Sequence, residues 1–151
     1  KLISSALTSK NIKIPEGHYE DVTMKATIVP NRNAIMLSIA YSIAISESAK
    51  WCFYAAHRGD YNIYPDCRPE YKEFLQEAFC YGLIDYPKIG MPFSCMDKKE
   101  IAKLGQQLGV DFNLTWSCYK GNERHCGKCG ACTERKEALL GFDNTIYDSS
   151  S

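Results

Sequence analysis

Neither sign of charge prevails in this chain: 18 Lys and Arg stand against 18 Asp and Glu among 151 residues. That balance removes the electrostatic footprint expected of a protein that grips nucleic acid or a membrane surface directly. No apolar run approaches the length of a bilayer span, no secretory signal pattern opens the sequence, and the cysteines form no paired framework of the kind that staples small secreted domains. A reducing, cytoplasmic setting is the expectation. Internal repeats are absent, as is low-complexity sequence apart from the terminal serines. The chain also opens without methionine, on KLISSALTSKNIKIP, a polar stretch that reads as the middle of a domain, so a preceding segment is expected. With 45% hydrophobic and 24% charged residues, the length suits one ordinary core and a single domain over residues 1–151.

Cysteine, by contrast, is plentiful, with eight residues. Four of them, Cys118, Cys126, Cys129 and Cys132, fall in SCYKGNERHCGKCGAC with the spacing C-x7-C-x2-C-x2-C. Four thiolates complete a closed tetrahedral Zn²⁺ shell, and Gly121, Gly127 and Gly130 allow the tight turns that convergence needs. An iron–sulfur cluster is an alternative, although the C-P pair that ends the ferredoxin run is missing, and disulfides are another. A closed zinc shell leaves no position for water or substrate, so the metal would be structural and the chemistry must lie elsewhere. Cys52, Cys67, Cys80 and Cys95 are scattered singly; three lie in or beside the apolar stretches WCFYAA, EAFCYG and PFSCM, where they serve as small buried hydrophobes.

The periodicity predicts alternating strands and helices. ATIV at 26–29 reads as a short strand stopped by Pro30, with Asn31 as N-cap of a helix over 32–48 whose apolar residues point to most sides, as in a deeply buried helix. KWCFYAAH suits a parallel strand covered on both faces. Pro69 opens a helix carrying Tyr71, Phe74, Leu75, Ala78 and Phe79 and ending near Gly82. YPKIGMPF holds at most a short strand. Asp97 and Glu100 make a capping-box-like start to a helix with Ile101, Leu104 and Leu108 as its buried face, closed by Gly109. A last helix over 133–141 ends at Gly141. This order describes an α/β fold with a doubly wound, mostly parallel sheet, in which ligands bind beyond the carboxyl ends of the strands. The loops VPNRN and HRGDYNIYPDCRPE sit there and combine prolines with Arg, Asn and Asp, which present planar donors and fixed acceptors to a polar ring.

The segments SALTS (5–9), TIVPNRN (27–33), GDYNIYPDCRPEY (59–71), DKKEIAKLG (97–105), LTWSCY (114–119) and HCGKCGACTER (125–135) together resemble, in order, the C-terminal two thirds of the 7-cyano-7-deazaguanine synthase family. The resemblance implies an adenine nucleotide α-hydrolase, or N-type ATP pyrophosphatase-like, fold with a C-terminal four-cysteine zinc-binding segment at 115–135. It also implies an ATP-dependent ligase that turns 7-carboxy-7-deazaguanine and ammonia into the nitrile through an adenylated acid and an amide, in queuosine and 7-deazaguanine biosynthesis. ATP with Mg²⁺ is then the co-substrate. Carried over residue by residue, Arg32, Asn33, Asp60, Tyr64, Asp66 and Arg68 face the deazaguanine, and Lys98 meets the ATP phosphates. The plainer alternatives are that Asp66 and Arg68 cap a turn and pair with each other, and that Lys98 is a solvated helix-start residue.

Three departures qualify the resemblance. The Ser-Gly-Gly-x-Asp-Ser phosphate loop of the family is missing, which makes a homodimer or a partner chain supplying that loop the expected assembly. VPNRN stands for VPGRN, a mild change because Asn accepts left-handed backbone, and AAHRGD stands for an Asn-containing GVNA. Cys67 as a covalent nucleophile is disfavoured, since the reaction needs no thiol and no histidine base adjoins it. His57 and His125 lack the spacing of a catalytic dyad. A related amide-forming or deazapurine-modifying enzyme, and a zinc-stabilised binding module without catalysis, remain the alternatives.

Overall fold

Asn31 adopts a left-handed backbone conformation with φ 57°, which asparagine accepts more readily than most residues, and from this turn the first long helix, α1 (Arg32–Ser46), departs. The computed structural model describes residues 4–18 and 21–148. The chain forms two compact units, Asn31–Asp97 and a second made of Lys1–Pro30 with Lys98–Ser151.

In the unit Asn31–Asp97, α1 is followed by β1 (Trp51–Phe53), α2 (Pro69–Gly82) and β2 (Lys88–Gly90). The two strands pair in parallel, Cys52 opposite Ile89 and Phe53 opposite Gly90. A Cβ on Gly90 would stand 2.8 Å from the Phe53 ring, so a larger residue here would push that exposed ring aside. Leu37, Tyr41 and Ala44 of α1 close on Cys52 and Ile89, with Leu75 and Phe79 of α2 packed alongside. Burying apolar side chains of this size stabilises by roughly 1.5–3 kcal/mol each. Tyr41 is the centre: its ring lies 4.4 Å from that of Phe79 and its hydroxyl donates to the Pro87 carbonyl at 2.5 Å. Gln76 of α2 secures β2 from the side, accepting the Ile89 N–H at 2.5 Å and donating to the Pro87 carbonyl at 3.2 Å.

Three expectations about helix burial and strand length in this unit need correction. Among the described residues the sheet has two strands, and α1 therefore has only one face to cover: Asn33, Leu37, Tyr41 and Ala44 are buried, whereas Met36, Ile39 and Ile43 are 61%, 59% and 58% exposed. The strand expected over 50–57 pairs only from Trp51 to Phe53, and both of those rings lie on an exposed face. Tyr54 still gives its N–H to the Gly90 carbonyl and bonds the Asp66 carbonyl through its hydroxyl, at 2.8 Å in each case, and among the described residues the pairing goes no further. The boundaries of α2, Pro69 at its first position and Gly82 at its end, are as expected, but Phe74 and Ala78 are exposed.

In the second unit the run ATIV does not form a strand. Asp21 caps a 3-10 helix, Val22–Thr27, by accepting the Thr23 N–H at 2.7 Å, and Thr27 donates its hydroxyl to the Met24 carbonyl at 2.7 Å. The local cap and hydroxyl bond meet needs that a strand would have to meet through a neighbour. Then come α3 (Lys98–Gln107), a 3-10 turn Phe112–Leu114 and α4 (Gly130–Ala138). Ala102 of α3 packs with Ala138 and Leu139, flanked by Phe112 and Phe142. Gly109, at φ 74°, ends α3 as expected; Leu108 lies past the last helical residue and is exposed, not part of the buried face. The last helix starts three residues earlier than expected, so Cys132 belongs to its first turn. Among the described residues no helix is long and apolar enough to cross a membrane.

Candidate functional site

The N-terminus of α1 and the loop beyond β1 meet at Cys67. Asn33, buried in the first turn of α1, donates from Nδ2 to the Cys67 sulfur at 3.5 Å, and the Tyr54 hydroxyl lies 3.4 Å from the same sulfur. The 3-10 turn Pro65–Cys67 is thereby tied to both the helix and the strand end. Burial pushes the Cys67 thiol up to about 11, which favours the protonated form at neutral pH, and the thiol packs as a hub between helix, strand end and turn. Burial raises the Tyr54 hydroxyl as well, with the Cys67 contact acting in the same direction. Neither Tyr54 nor the thiol's buried setting was legible in the polar string YPDCR.

Around this hub the expected ligand residues divide into two groups. Asn33 and Tyr64 are buried, and Tyr64 forms the cap of the Pro65–Cys67 turn. Arg32 and Arg68 are exposed. Arg68 donates from Nε to the Tyr61 carbonyl at 3.0 Å, and the Tyr61 hydroxyl bonds the Ser94 carbonyl at 2.5 Å, pinning the loop. Among the described residues, Arg32 donates from Nε to Asn33 Oδ1 at 3.4 Å. Asp66 does not pair with Arg68; among the described residues its carboxylate has neither an ion-pair nor a hydrogen-bond partner. A half-exposed carboxylate with two guanidinium groups on the same loop and helix start can accept N–H groups from a polar ring and meet an anionic substituent.

Asp60 has a partner that the sequence reading missed. His57 is buried at the cap of the 3-10 turn Arg58–Asp60, and its Nε2 lies 3.4 Å from Asp60 Oδ2. The H-x-x-D spacing is that of a capping box with unusual residue types, and that spacing was the available signal.

Lys98 belongs to the other unit. It opens α3 and its Nζ contacts Glu134 Oε2 of α4 at 2.5 Å, so it is not merely solvated.

The four clustered cysteines converge. Their sulfurs all lie within 4.8 Å of one another, and Cys126 and Cys132 are 3.9 Å apart. A tetrahedral ion with metal–sulfur bonds of about 2.3 Å requires sulfur separations of roughly 3.8 Å. No cysteine is in a disulfide. A cluster with one thiolate on each iron needs wider spacing, so the set fits a single closed-shell ion. Backbone N–H groups prepare the thiolates: Lys120 and Cys126 donate to Cys118 at 3.4 Å, Cys129 to Cys126 at 3.3 Å. Burial pushes the Cys126 thiol up, yet donors from Lys128 and Cys129 outweigh it and bring it down to about 7. Burial raises Cys129 and Cys132, the cost that a cation would offset. Gly127 turns the chain at φ 70° beside Tyr147 and Lys136.

Flanking segments hold the cysteine loop on both sides. Glu16 bridges to Cys129 and His125 to Tyr147. His125 packs against Trp116 with ring centres 4.2 Å apart and accepts the Ser117 N–H at 3.2 Å, so it shapes the loop before Cys126. Arg135, 6% exposed, was not singled out by the sequence. It donates to Thr145, Thr115 and Ser117 hydroxyls at 2.8, 2.8 and 3.2 Å and to the Phe112 carbonyl at 2.7 Å. The other single cysteines reverse expectation in part: Cys52 is buried, but Cys80 is half-buried and Cys95 exposed.

A family model described as "Queuosine biosynthesis protein QueC" matches residues 1–143. The 7-cyano-7-deazaguanine synthase of Caldicellulosiruptor saccharolyticus is 51% identical over 140 residues, covering 91% of this chain and 61% of the relative. That of Methanoregula boonei is 52% identical over 140 residues, covering 91% and 64%. The chain thus spans a little under two thirds of the length of these relatives.

Proposed function

Because the chain belongs to the QueC family of queuosine biosynthesis proteins, we propose that it carries the acyl-substrate site of an ATP-dependent ligase making 7-cyano-7-deazaguanine from 7-carboxy-7-deazaguanine and ammonia. The observation that carries this reading is the Asp66 carboxylate, which among the described residues has no partner, on a loop otherwise pinned through Cys67, Tyr61 and Tyr54. A rigid loop with an unpaired acceptor is preorganised for a ligand. Asp60 and Asp66 take the N–H edge of the ring; Arg32 and Arg68 meet the carboxylate and the negative charge that develops as it is activated. Asn33 and Tyr64 shape the wall.

A carboxylate is a poor electrophile. Its oxygen attacks the α-phosphorus of ATP, pyrophosphate leaves, and the acyl adenylate forms. Ammonia adds to the acyl carbon, AMP departs, and a proton is lost to give the amide. A second ATP adenylates the amide oxygen, and loss of AMP with both nitrogen-bound protons yields the nitrile. The chain's contribution is to hold ring and acyl carbon and to exclude competing water. Lys98 is the residue proposed to meet the ATP phosphates, with Mg²⁺ accompanying ATP. Zn²⁺ is the ion proposed for Cys118, Cys126, Cys129 and Cys132; with four thiolates it has no open position and stabilises the fold without entering the reaction.

The remaining strands of a doubly wound sheet and the phosphate loop are proposed to come from a covering segment or partner chain. The exposed apolar residues Met36, Ile39, Ile43, Trp51 and Phe53 support this, since parallel sheets are normally covered on both faces. The site is proposed to act in the cytoplasm on free small molecules, without direct nucleic-acid contact. The test incubates the full-length, zinc-loaded protein with ATP, Mg²⁺, ammonium and 7-carboxy-7-deazaguanine, reading amide and nitrile by mass spectrometry. The nitrile is expected, with the amide as a transient; neither product forming would overturn the proposal.

A further inference from the structure

We propose that His57 is a positioning residue for Asp60, setting the plane of that carboxylate against the ring it reads; this rests on the assignment of Asp60 to the substrate. The Nδ1 of His57 accepts the Gly59 N–H at 3.1 Å, which places the proton of the neutral ring on Nε2. That Nε2 lies 3.4 Å from Asp60 Oδ2, and the His57 backbone N–H approaches the same oxygen at 3.4 Å. Two donors of one residue therefore face one carboxylate oxygen, and the turn closes as a reciprocal capping box.

The arrangement separates orienting from base catalysis. A general base needs an accessible lone pair, and the lone pair of His57 is already used by Gly59 in a ring belonging to a residue that is 5% exposed. What His57 can do is restrict the carboxylate torsion, which is intrinsically broad and two-fold. With Oδ2 anchored, the direction of the second oxygen follows. A guanine-type edge presents a ring N–H and an exocyclic amino group side by side, and a carboxylate accepts both only when its plane matches theirs. His57 thus governs preference for the amino-bearing ring over one lacking the amino group, more than affinity for the ring in general.

The experiment titrates 7-carboxy-7-deazaguanine and its analogue without the 2-amino group, by calorimetry, into the full-length wild type, H57A, H57N and D60N. Asn is a strong N-cap, so H57N keeps the turn while removing Nε2, and it decides the outcome should H57A melt early. D60N and both His57 variants are expected to lose about tenfold in preference for the amino-bearing ring, in keeping with one charge-assisted hydrogen bond. Affinity for the analogue should stay within about twofold in the His57 variants, a small fraction of that hydrogen bond. If D60N loses the preference and H57N keeps it, the positioning role fails alone. If D60N keeps it, the assignment of Asp60 fails and this inference with it. Equal loss for both ligands in H57N at an unchanged melting temperature marks a general structural role and also overturns it.

Discussion

The cysteine loop and the loop GDYNIYPDCR are both short, irregular and dense in polar groups, yet they use those groups in opposite ways. In the first, Arg135 alone ties together four acceptors from two separate stretches of chain, and the sulfurs turn toward one another. In the second, hydrogen bonds pin the backbone while the Asp66 carboxylate, among the described residues, is left without a partner. A buried arginine whose donors meet neutral acceptors is a device for stability; an unpaired carboxylate on a pinned loop is one for binding. On the proposed assignment of Asp66, stability and recognition reside in different residues and respond to different substitutions.

The largest effect should come from the cysteines. Replacing Cys126 with serine, or removing the ion with a chelator, should unfold the cysteine loop with a loss on the order of several kcal/mol, read as a lower melting temperature and loss of near-UV dichroism from Trp116. Substitutions at Asp66 should leave both signals unchanged. Next, R135M removes four hydrogen bonds and strands their acceptors, and urea unfolding should show a loss of roughly 3–5 kcal/mol. Cys67 lies between the two behaviours. C67A should cost about 1–2 kcal/mol and lower turnover only modestly, because the protonated thiol is a hub; complete loss of turnover in a folded C67A would restore the nucleophile reading.

The smallest effect concerns acid. Burial alone would raise Asp143, but bonds from the Thr145 and Tyr147 hydroxyls and the Thr145 N–H, with Arg135 nearby, bring it below its ordinary 3.8. Its folded value lies below its unfolded one, so its contribution is complete above about pH 4 and fades as pH falls through the folded value. Urea midpoints measured from pH 6 down to pH 3 should drop less steeply in D143N than in the wild type.

The difference between the two loops also shows what a sequence exposes. The C-x7-C-x2-C-x2-C spacing was readable because a closed metal shell constrains residue type and interval at once. Pro69 and Gly82 marked α2 because each acts through its own backbone. The tolerance of Asn31 for left-handed backbone was readable for the same reason, but its side chain makes none of the cap hydrogen bonds expected of it. Arg135 and Tyr54 were not readable, since their roles depend on acceptors brought from remote segments. The exposure of Met36, Ile39 and Ile43 was not legible because an apolar helix in sequence does not record which of its faces the chain packs against. ATIV failed as a strand because a strand needs a neighbour, while the cap at Asp21 was local.

The most direct test of the division between holding and binding is calorimetric titration of 7-carboxy-7-deazaguanine into the full-length, metal-loaded protein and its D66N variant. Affinity is expected to fall about tenfold or more in D66N, the worth of one charge-assisted hydrogen bond; equal affinity in the two proteins would show that Asp66 does not hold the ring.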